Sequence, residues 1–272
     1  MGELRRTIVQ TMSPAVDVAH IRADNPGPFT LTGTNSYVVG RDGCWVIDPG
    51  PALDAHIAAL AAEVEARGGA AGILLTHDHG DHADGIPALV RALGGDVPVH
   101  AARYPGDVTI GNGDMIGSFA VAATPGHAPD HLAFVIYDTV FSGDAVLGAG
   151  SVFVAPDPGA LRGYLAGLQL LKALQPRRIW PGHGPVVEDP IARIDAYIAH
   201  RLEREHDLLD ALAAGGRTID ALLDAAWSDV PDVLRPAAAV TLAAHLDKLE
   251  EEGRLPEGVE RPQWPPSWYT QS

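Results

Sequence analysis

Gly72-Ile73-Leu74-Leu75-Thr76-His77-Asp78-His79-Gly80-Asp81-His82 is the stretch that decides how this chain is read. The apolar run Gly72 to Leu75 passes directly into a loop crowded with imidazoles and carboxylates. A strand that ends in such a loop delivers its side chains to the carboxyl edge of a sheet, where open α/β sheets place their sites. Imidazole suits zinc, and aspartate supplies a harder oxygen donor to the same ion or its neighbour. Histidines two apart on an extended segment point the same way, so His77 and His79 can share one ion. Asp81 and His82, where the chain turns toward the next helix, can face a second.

Such a cluster is incomplete without donors from later loops. Three segments offer them, each behind an expected strand: Thr124-Pro125-Gly126-His127, Ser142-Gly143-Asp144 and Pro181-Gly182-His183. The flanking Gly and Pro let the backbone turn tightly and expose the next side chain. His20, His56, His100, His200, His206 and His245 have no ligand-like neighbours and read as surface or satisfied core residues. Gly111-Asn112-Gly113-Asp114 lacks the strand, lysine and helix of a phosphate loop and reads as a hairpin turn. Asn35 and Tyr37 either line a cleft or pack within a strand, the second being favoured.

Outward from this stretch, short aliphatic runs bounded by Gly, Pro and Asp predict strands: Ser36 to Val39, Trp45 to Ile47, Gly72 to Thr76, Val97 to Ala101, Phe119 to Ala122, Leu132 to Tyr137, Thr139 to Ser142 and Arg178 to Trp180. Helical spacing appears at Asp54 to Arg67, at Ile86 to Leu93 and along Leu161, Leu165, Leu168 and Leu171. Interleaved strands and helices predict an α/β fold in which helices cover sheets. Beyond Pro190 the strand signals fade. Ile191, Ile194, Ile198, Leu202, Leu209 and Leu212 mark one face of a long helix ended by Gly215-Gly216. Thr218 caps a second helix, and Leu242, Leu246 and Leu249 line a third, stopped at Gly253. The expected organisation is a catalytic domain over residues 1–190, a small helical domain over 191–255 and a Pro/Trp-rich extended tail over 256–272.

The 272 residues suffice for one large domain with an appendage, and 46% hydrophobic with 20% charged residues is ordinary for a globular protein. A formal charge of −16 argues against holding polyanions on a broad basic face, so DNA is not an expected partner. The lone Cys44 excludes an internal disulfide and reads as a buried strand residue. No apolar stretch has membrane length, and Arg5 and Arg6 have no hydrophobic region behind them, which predicts a cytoplasmic protein without membrane partners.

The order His-x-His-x-Asp-His, then His, then Asp, then Gly-His resembles the metallo-β-lactamase superfamily over about Thr34 to Pro185. The resemblance implies an αββα sandwich and a metal-dependent hydrolase with two zinc ions, for which manganese or iron could stand in. By that resemblance His77, His79 and His127 hold one ion, Asp81, His82 and His183 hold the other, and Asp144 bridges them. Asp48, in Ile47-Asp48-Pro49-Gly50, matches a position that supports the ligands from behind. Two adjacent cations lower the pKa of a shared water and stabilise negative charge on a substrate oxygen, so a metal-bridging hydroxide is the expected nucleophile. Asp81 could orient it or take its proton, and His131, four residues past His127, is the candidate donor to the leaving group.

Asn25 to Asn35, Ser142 to Gly148, the Tyr197 to Glu205 stretch with His200-Arg201, and His245 to Glu250 resemble the β-lactamase-like protein 2 (LACTB2-like) group in particular. That resemblance implies a C-terminal winged-helix-like domain and leaves two substrate classes: single-stranded RNA, or an activated ester such as an acyl thioester or lactone. Asp247, Glu250, Glu251 and Glu252 outnumber Lys248 on the last helix, a poor face for a phosphate backbone. That helical domain is expected to pack over the site or to form a homodimer contact. Arg177, Arg178, Arg201 and Arg204 could still make a local basic strip, which keeps the ribonuclease reading open. A lactam substrate and a di-iron redox centre are disfavoured, the first for want of an export segment and the second for want of an electron-transfer module.

Overall fold

The computed structural model describes residues 15–104 and 108–263. Arg5, Arg6 and residues 264–272 of the expected tail lie outside the described residues. The first half of the chain runs β1 (Val18–Arg22), β2 (Asn35–Val39), β3 (Cys44–Ile47), α1 (Asp54–Ala66), β4 (Ala70–Leu74), α2 (Gly80–Ala83), α3 (Ile86–Ala92), β5 (Val99–Ala101) and β6 (Val108–Thr109). These strands pair in sequence order into one sheet, antiparallel from β1 to β3 and parallel from β3 to β6. The second half adds β7 (Met115–Ile116), β8 (Phe119–Ala123), β9 (Leu132–Ile136), β10 (Thr139–Gly143), α4 (Ala160–Ala173) and β11 (Arg178–Pro181). Its sheet has the order β11-β10-β9-β8-β7, with only β10 and β11 parallel.

Strand residues alternate between two cores, as the pleat requires. Val38, Val46 and Ile73 point outward under α1 and α3. Tyr37, Ile47 and Leu74 point inward, against Phe119, Leu132, Phe134 and Phe141 of the other sheet. On that sheet's outer side Ala133 and Val140 meet Leu161, Tyr164, Leu168 and Leu171 of α4. Four layers follow, αββα, and strands buried on both faces explain why the sequence shows apolar runs rather than alternation. Cys44 is buried on the outward face of β3, its thiol held by the Gly69 carbonyl at 3.2 Å.

Three strands escaped the sequence. β1 is a half-buried edge strand carrying His20 and Arg22, and β6 and β7 have two residues each. The turn at Gly111 to Asp114 is not a hairpin. It carries the chain from β6 in one sheet to β7 in the other, with Gly113 at φ +92°.

Beyond β11 come α5 (Pro190–Ala213), α6 (Ile219–Ala226) and α7 (Arg235–Glu251), and no strand occurs among the described residues there. Asp189 and Thr218 cap the first two helices through the amides of Ala192 and Ala221. The buried face of α5 differs from the expected stripe. Leu202 is exposed, while Tyr197, Arg201, Arg204 and Glu205 are buried between Ile194 and Leu208. Ile194 and Tyr197 join the core under α4, whereas Leu208 and Leu212 join Leu222, Leu242, Leu246 and Leu249 in a separate helical core. Residues 256–263 have no regular structure but are tied back. The Glu260 amide reaches the Arg217 carbonyl at 2.8 Å, and Arg261 pairs with Asp247 and Glu250.

Candidate metal centre

Every candidate ligand stands just past the carboxyl end of a strand. β4 leads to His77, His79, Asp81 and His82; β8 to His127; β10 to Asp144; β11 to His183. The fold gathers these seven side chains into three overlapping groups, His77/His79/His127, His77/His82/Asp144 and Asp81/His82/His183, each with its donor atoms within 4.8 Å of one another. Nδ1 of His79 lies 3.1 Å from Nε2 of His77 and 3.0 Å from Nε2 of His127. Nε2 of His82 and of His183 stand 3.3 Å apart. Asp144 lies between the clusters, one oxygen 3.6 Å from His82, the other 3.4 Å from His183 and 3.6 Å from His127.

These separations test whether a metal fits. Ligands about 2.0–2.1 Å from a tetrahedral ion stand roughly 3.3 Å from each other, and the donors here are spaced that way. Oδ1 of Asp144 is buried without a hydrogen-bond partner among the described residues, as a carboxylate oxygen kept for a metal would be. The second ring nitrogens of His77, His82, His127 and His183 are engaged behind the site. Nδ1 of His77 meets the Thr76 hydroxyl at 2.9 Å, Nδ1 of His82 donates to Asp48 at 2.9 Å, and Nδ1 of His127 donates to the Phe153 carbonyl at 3.1 Å. Nδ1 of His183 faces the Gly33 carbonyl at 3.4 Å. An acceptor behind Nδ1 fixes the tautomer that leaves Nε2 unprotonated toward the centre.

Charge divides the two ends. Burial, then the neighbouring His127, pushes His79 down to about 3, and burial likewise holds His77 and His127 below the usual imidazole range. Burial opposes the charged form of His82 too, but the carboxylates of Asp81, Asp144 and Asp48 outweigh it and push the group up to about 9. At His183, Asp144 and Asp81 overcome burial and raise it to about 11. The same imidazoles hold Asp81 and Asp144 below the ordinary carboxylate range against the effect of burial. Without metal, protons on His82 and His183 balance these acids.

Supporting residues make close demands on the backbone. Asp48 adopts φ +49°, a left-handed conformation aspartate tolerates better than most residues. From there one oxygen accepts the Thr76 amide at 2.8 Å, and the other meets the Thr76 hydroxyl at 2.7 Å as well as His82. Asn35 lines no cleft. Its buried side-chain amide donates to the carbonyls of Pro181 and Gly184, both at 2.9 Å, and so clamps the loop that presents His183. Tyr37 donates to the same Pro181 carbonyl at 2.6 Å.

The expectation for His131 needs correction. Its ring is 1% exposed, Nδ1 bonds the Thr124 hydroxyl at 2.8 Å, and Nε2 accepts the Asp144 backbone amide at 3.0 Å. Burial and the adjacent His127 keep it neutral. A neutral ring engaged at both nitrogens has no proton for a leaving group; His131 positions the Asp144 turn instead.

A cavity of about 530 Å³ opens over the centre. His79, Asp81, His127, Asp144 and His183 form one part of its wall, and Phe29, Leu147, Val152 and Phe153 another. The C-terminal helices complete it, with Tyr197, Arg201 and Arg204 of α5 beside Trp227 and Leu234. These α5 residues were missed as site residues, although Arg193, Tyr197, His200, Arg201 and Arg204 recur at helical spacing on one face. His200 lines the cavity, and His245 is fully buried with no hydrogen-bond partner among the described residues for either ring nitrogen, so neither is a satisfied core histidine. The basic strip left open for Arg177, Arg178, Arg201 and Arg204 does not form among the described residues. Arg178, exposed on β11, pairs with Glu188 at 2.8 Å, while Arg201 and Arg204 are buried.

Two family models match the chain: the metallo-β-lactamase superfamily over residues 29–106 and the β-lactamase-associated winged-helix domain over 218–264. The chain belongs to the metallo-β-lactamase superfamily and is a metal-dependent hydrolase with a C-terminal winged-helix domain, of the β-lactamase-like protein 2 type. It is 32% identical to a β-lactamase-like protein 2 homolog of Drosophila melanogaster, over 88% of this chain and 89% of that protein. It is also 30% identical to an atrochrysone carboxyl ACP thioesterase of Cryptosporiopsis sp., over 91% of this chain and 83% of that one. Among solved structures, a metallo-β-lactamase family protein of Thermus thermophilus superposes with a TM-score of 0.69 at 25% identity, covering 87% of this chain and 94% of the other.

Proposed function

We propose that the protein is a dinuclear zinc hydrolase of activated carboxylic esters, thioesters above all, working in the cytoplasm. His77, His79 and His127 would hold one zinc and Asp81, His82 and His183 the other, with Asp144 available to both. Zinc bound there supplies a water-derived nucleophile at neutral pH and positive charge for a carbonyl oxygen. Asp81 lines the cavity and stays ionised, so it serves as a hydrogen-bond acceptor that orients the attacking water. Asp48, Asn35 and His131 hold the donors in place.

The observation that carries the ester reading is the cavity itself, a walled space that combines the donor cluster with Phe29, Leu147, Val152, Phe153 and Trp227. An acyl group fits such apolar surroundings. Single-stranded RNA calls for an open groove with exposed cations and aromatic platforms. Here Arg201 and Arg204 are enclosed in the cavity wall at 2% and 8% exposure, and Arg204 is already paired with Asp229, so they give one enclosed cationic point and no exposed track for a strand of phosphates. The similarity to an ACP thioesterase supports the same choice.

The test is to determine bound metal by mass spectrometry and to assay zinc-loaded protein on acyl thioesters, lactones and a single-stranded RNA, with Asp144→Asn as the control. Thioester turnover that the variant loses, with intact RNA, is the expected result. RNA cleavage without ester turnover would overturn the ester reading, and two iron atoms per chain would overturn zinc.

A further inference from the structure

Arg201 is a buried cation with no anion beside it among the described residues. It is 2% exposed, and its guanidinium donates to the Val152 carbonyl and, at 3.3 Å, to the Ser151 hydroxyl. The Tyr164 ring lies 5.4 Å beneath it, and Nε has no partner. Among the described residues no carboxylate stands within ion-pairing distance. Arg193, two turns earlier on α5 and half-buried, likewise has no carboxylate within ion-pairing distance among the described residues, bonding the carbonyls of Leu147 and Gly150 at 3.1 and 2.7 Å and the Tyr197 hydroxyl. Only Arg204 is compensated, by both Asp229 oxygens at 2.6 and 2.8 Å. All three arginines line the cavity that holds the metal donors.

A clamp on the carbonyls of the 147–152 loop needs hydrogen bonds but not charge, and an unpaired buried charge is costly. Neighbouring groups do not offset it. Burial, then Arg201 and Arg204, push His200 down to about 4, and burial with Arg201 holds His245 neutral. The guanidinium fork matches the oxygens of a carboxylate or phosphate.

We propose that Arg201, flanked by Arg193, forms an anion subsite in the cavity, so that the substrate carries a carboxylate or phosphate in addition to the bond that is cut. This rests on the ester-hydrolase reading and narrows its substrate class. Arg201 is then a specificity-determining residue. The ligand spans the cavity, its reacting carbonyl over the donor cluster and its charged group against α5.

The experiment compares glutaryl and pentanoyl thioesters of N-acetylcysteamine, equal in chain length and differing in the terminal carboxylate, on zinc-loaded wild type, Arg201→Met and Arg201→Lys. The wild type should prefer the glutaryl thioester by about tenfold or more in kcat/KM, mostly through KM. In Arg201→Met the ratio should collapse toward one, whatever happens to absolute rates, and Arg201→Lys should keep part of it. Equal use of both thioesters by wild type, or a preference that survives in Arg201→Met, would overturn the subsite while leaving the hydrolase reading intact. A second arm uses chelator-treated protein and reads melting temperature with glutarate or inorganic phosphate. Stabilisation of wild type but not Arg201→Met supports the subsite even if neither thioester is cleaved, the outcome that would count against the ester reading alone. The more stabilising of the two ions identifies the oxyanion. No shift with either ion, together with no thioester preference, rejects the subsite.

Discussion

A Cβ atom placed on Gly182 would stand 2.3 Å from Oδ1 of Asp144 and 2.8 Å from the His82 ring. The backbone cannot move aside freely, because the Gly182 amide donates to the Gly143 carbonyl at 2.8 Å and its carbonyl accepts the Asn35 amide at 2.7 Å. Gly182→Ala should therefore displace Asp144 without unfolding the sandwich. The expected outcome is a loss of about 10–100-fold in metal affinity, in the range of other supporting residues. Competition with a chromophoric chelator measures it, and circular dichroism verifies the fold. Wild-type affinity in the alanine variant would show that the contact is not restrictive.

Asp48→Asn exchanges one acceptor for a donor at a place where both oxygens receive hydrogens. The left-handed backbone suits asparagine, so strain is not the issue. With the amide nitrogen toward Thr76 and His82, Nδ1 of His82 must become an acceptor, which moves its proton to Nε2 on the metal side. With the amide flipped, the nitrogen faces the Thr76 backbone amide. That donor-against-donor clash disfavours the flipped form, so the first orientation prevails and the Asp81/His82/His183 group is weakened first. Titration should show one metal retained and the other bound about 10–100-fold more weakly, with nitrogen NMR reporting the His82 tautomer. Equal weakening of both ions would contradict this route.

The ligand loop was legible because a metal centre needs many donors of few types, and Thr76 to His82 concentrates them behind an apolar run. The sandwich was legible for a similar reason, since strands buried on both faces leave unbroken aliphatic runs such as Ile73 to Leu75. What remained hidden depends on long-range partners. Nothing local marks Asn35 as the clamp on Pro181 and Gly184, and the His131 ring could not be assigned before the Asp144 amide was seen on its Nε2. β6 and β7 are too short for any periodicity, so a crossing between sheets looked like a hairpin. On α5 the search for apolar residues favoured exposed Leu202 over buried Arg201, because charge normally marks the outer face of a helix.

Protonation of the metal-free site predicts a pH optimum for stability. His82 and His183 have raised values in the fold, about 9 and about 11, so their contribution is complete below the unfolded value near 6.5 and is lost as pH rises through the folded values. His79, lowered to about 3, works the other way: stability falls as pH drops below about 6.5, where only the unfolded chain takes up the proton. Chelator-treated protein should thus melt highest near pH 6–7, with a decline toward pH 9. Metal replaces the protons on His82 and His183, so reloaded protein should lose the alkaline decline. Scanning calorimetry from pH 5 to 9 reads both curves, and parallel alkaline limbs would refute the assignment.

Removing everything after Pro190 tests whether the expected boundary of the catalytic unit is also a boundary of stability. Ile194 and Tyr197 lie beyond it, yet both are buried in the core beneath α4. The Tyr197 hydroxyl also accepts the Leu147 amide at 3.2 Å and donates to the Gly150 carbonyl at 3.2 Å, holding the loop that walls the cavity. Burying two such side chains contributes about 1.5–3 kcal/mol each. Their loss alone should lower the melting temperature by about 10 °C or more for a domain of this size, before counting the apolar face newly exposed on α4. Removing residues after Ala213 instead spares both side chains and takes from the sandwich only the lighter α7 contacts, Ala244 in the core under α4, Thr241 on the Val154 amide and Glu251 on Arg162, so that cut should cost the sandwich less. Differential scanning fluorimetry of the two truncated proteins distinguishes the cases. Equal melting of the shorter protein and the full chain would mean that α5 merely leans on the sandwich, and the arginines it brings to the cavity would then be held there by α6 and α7 alone.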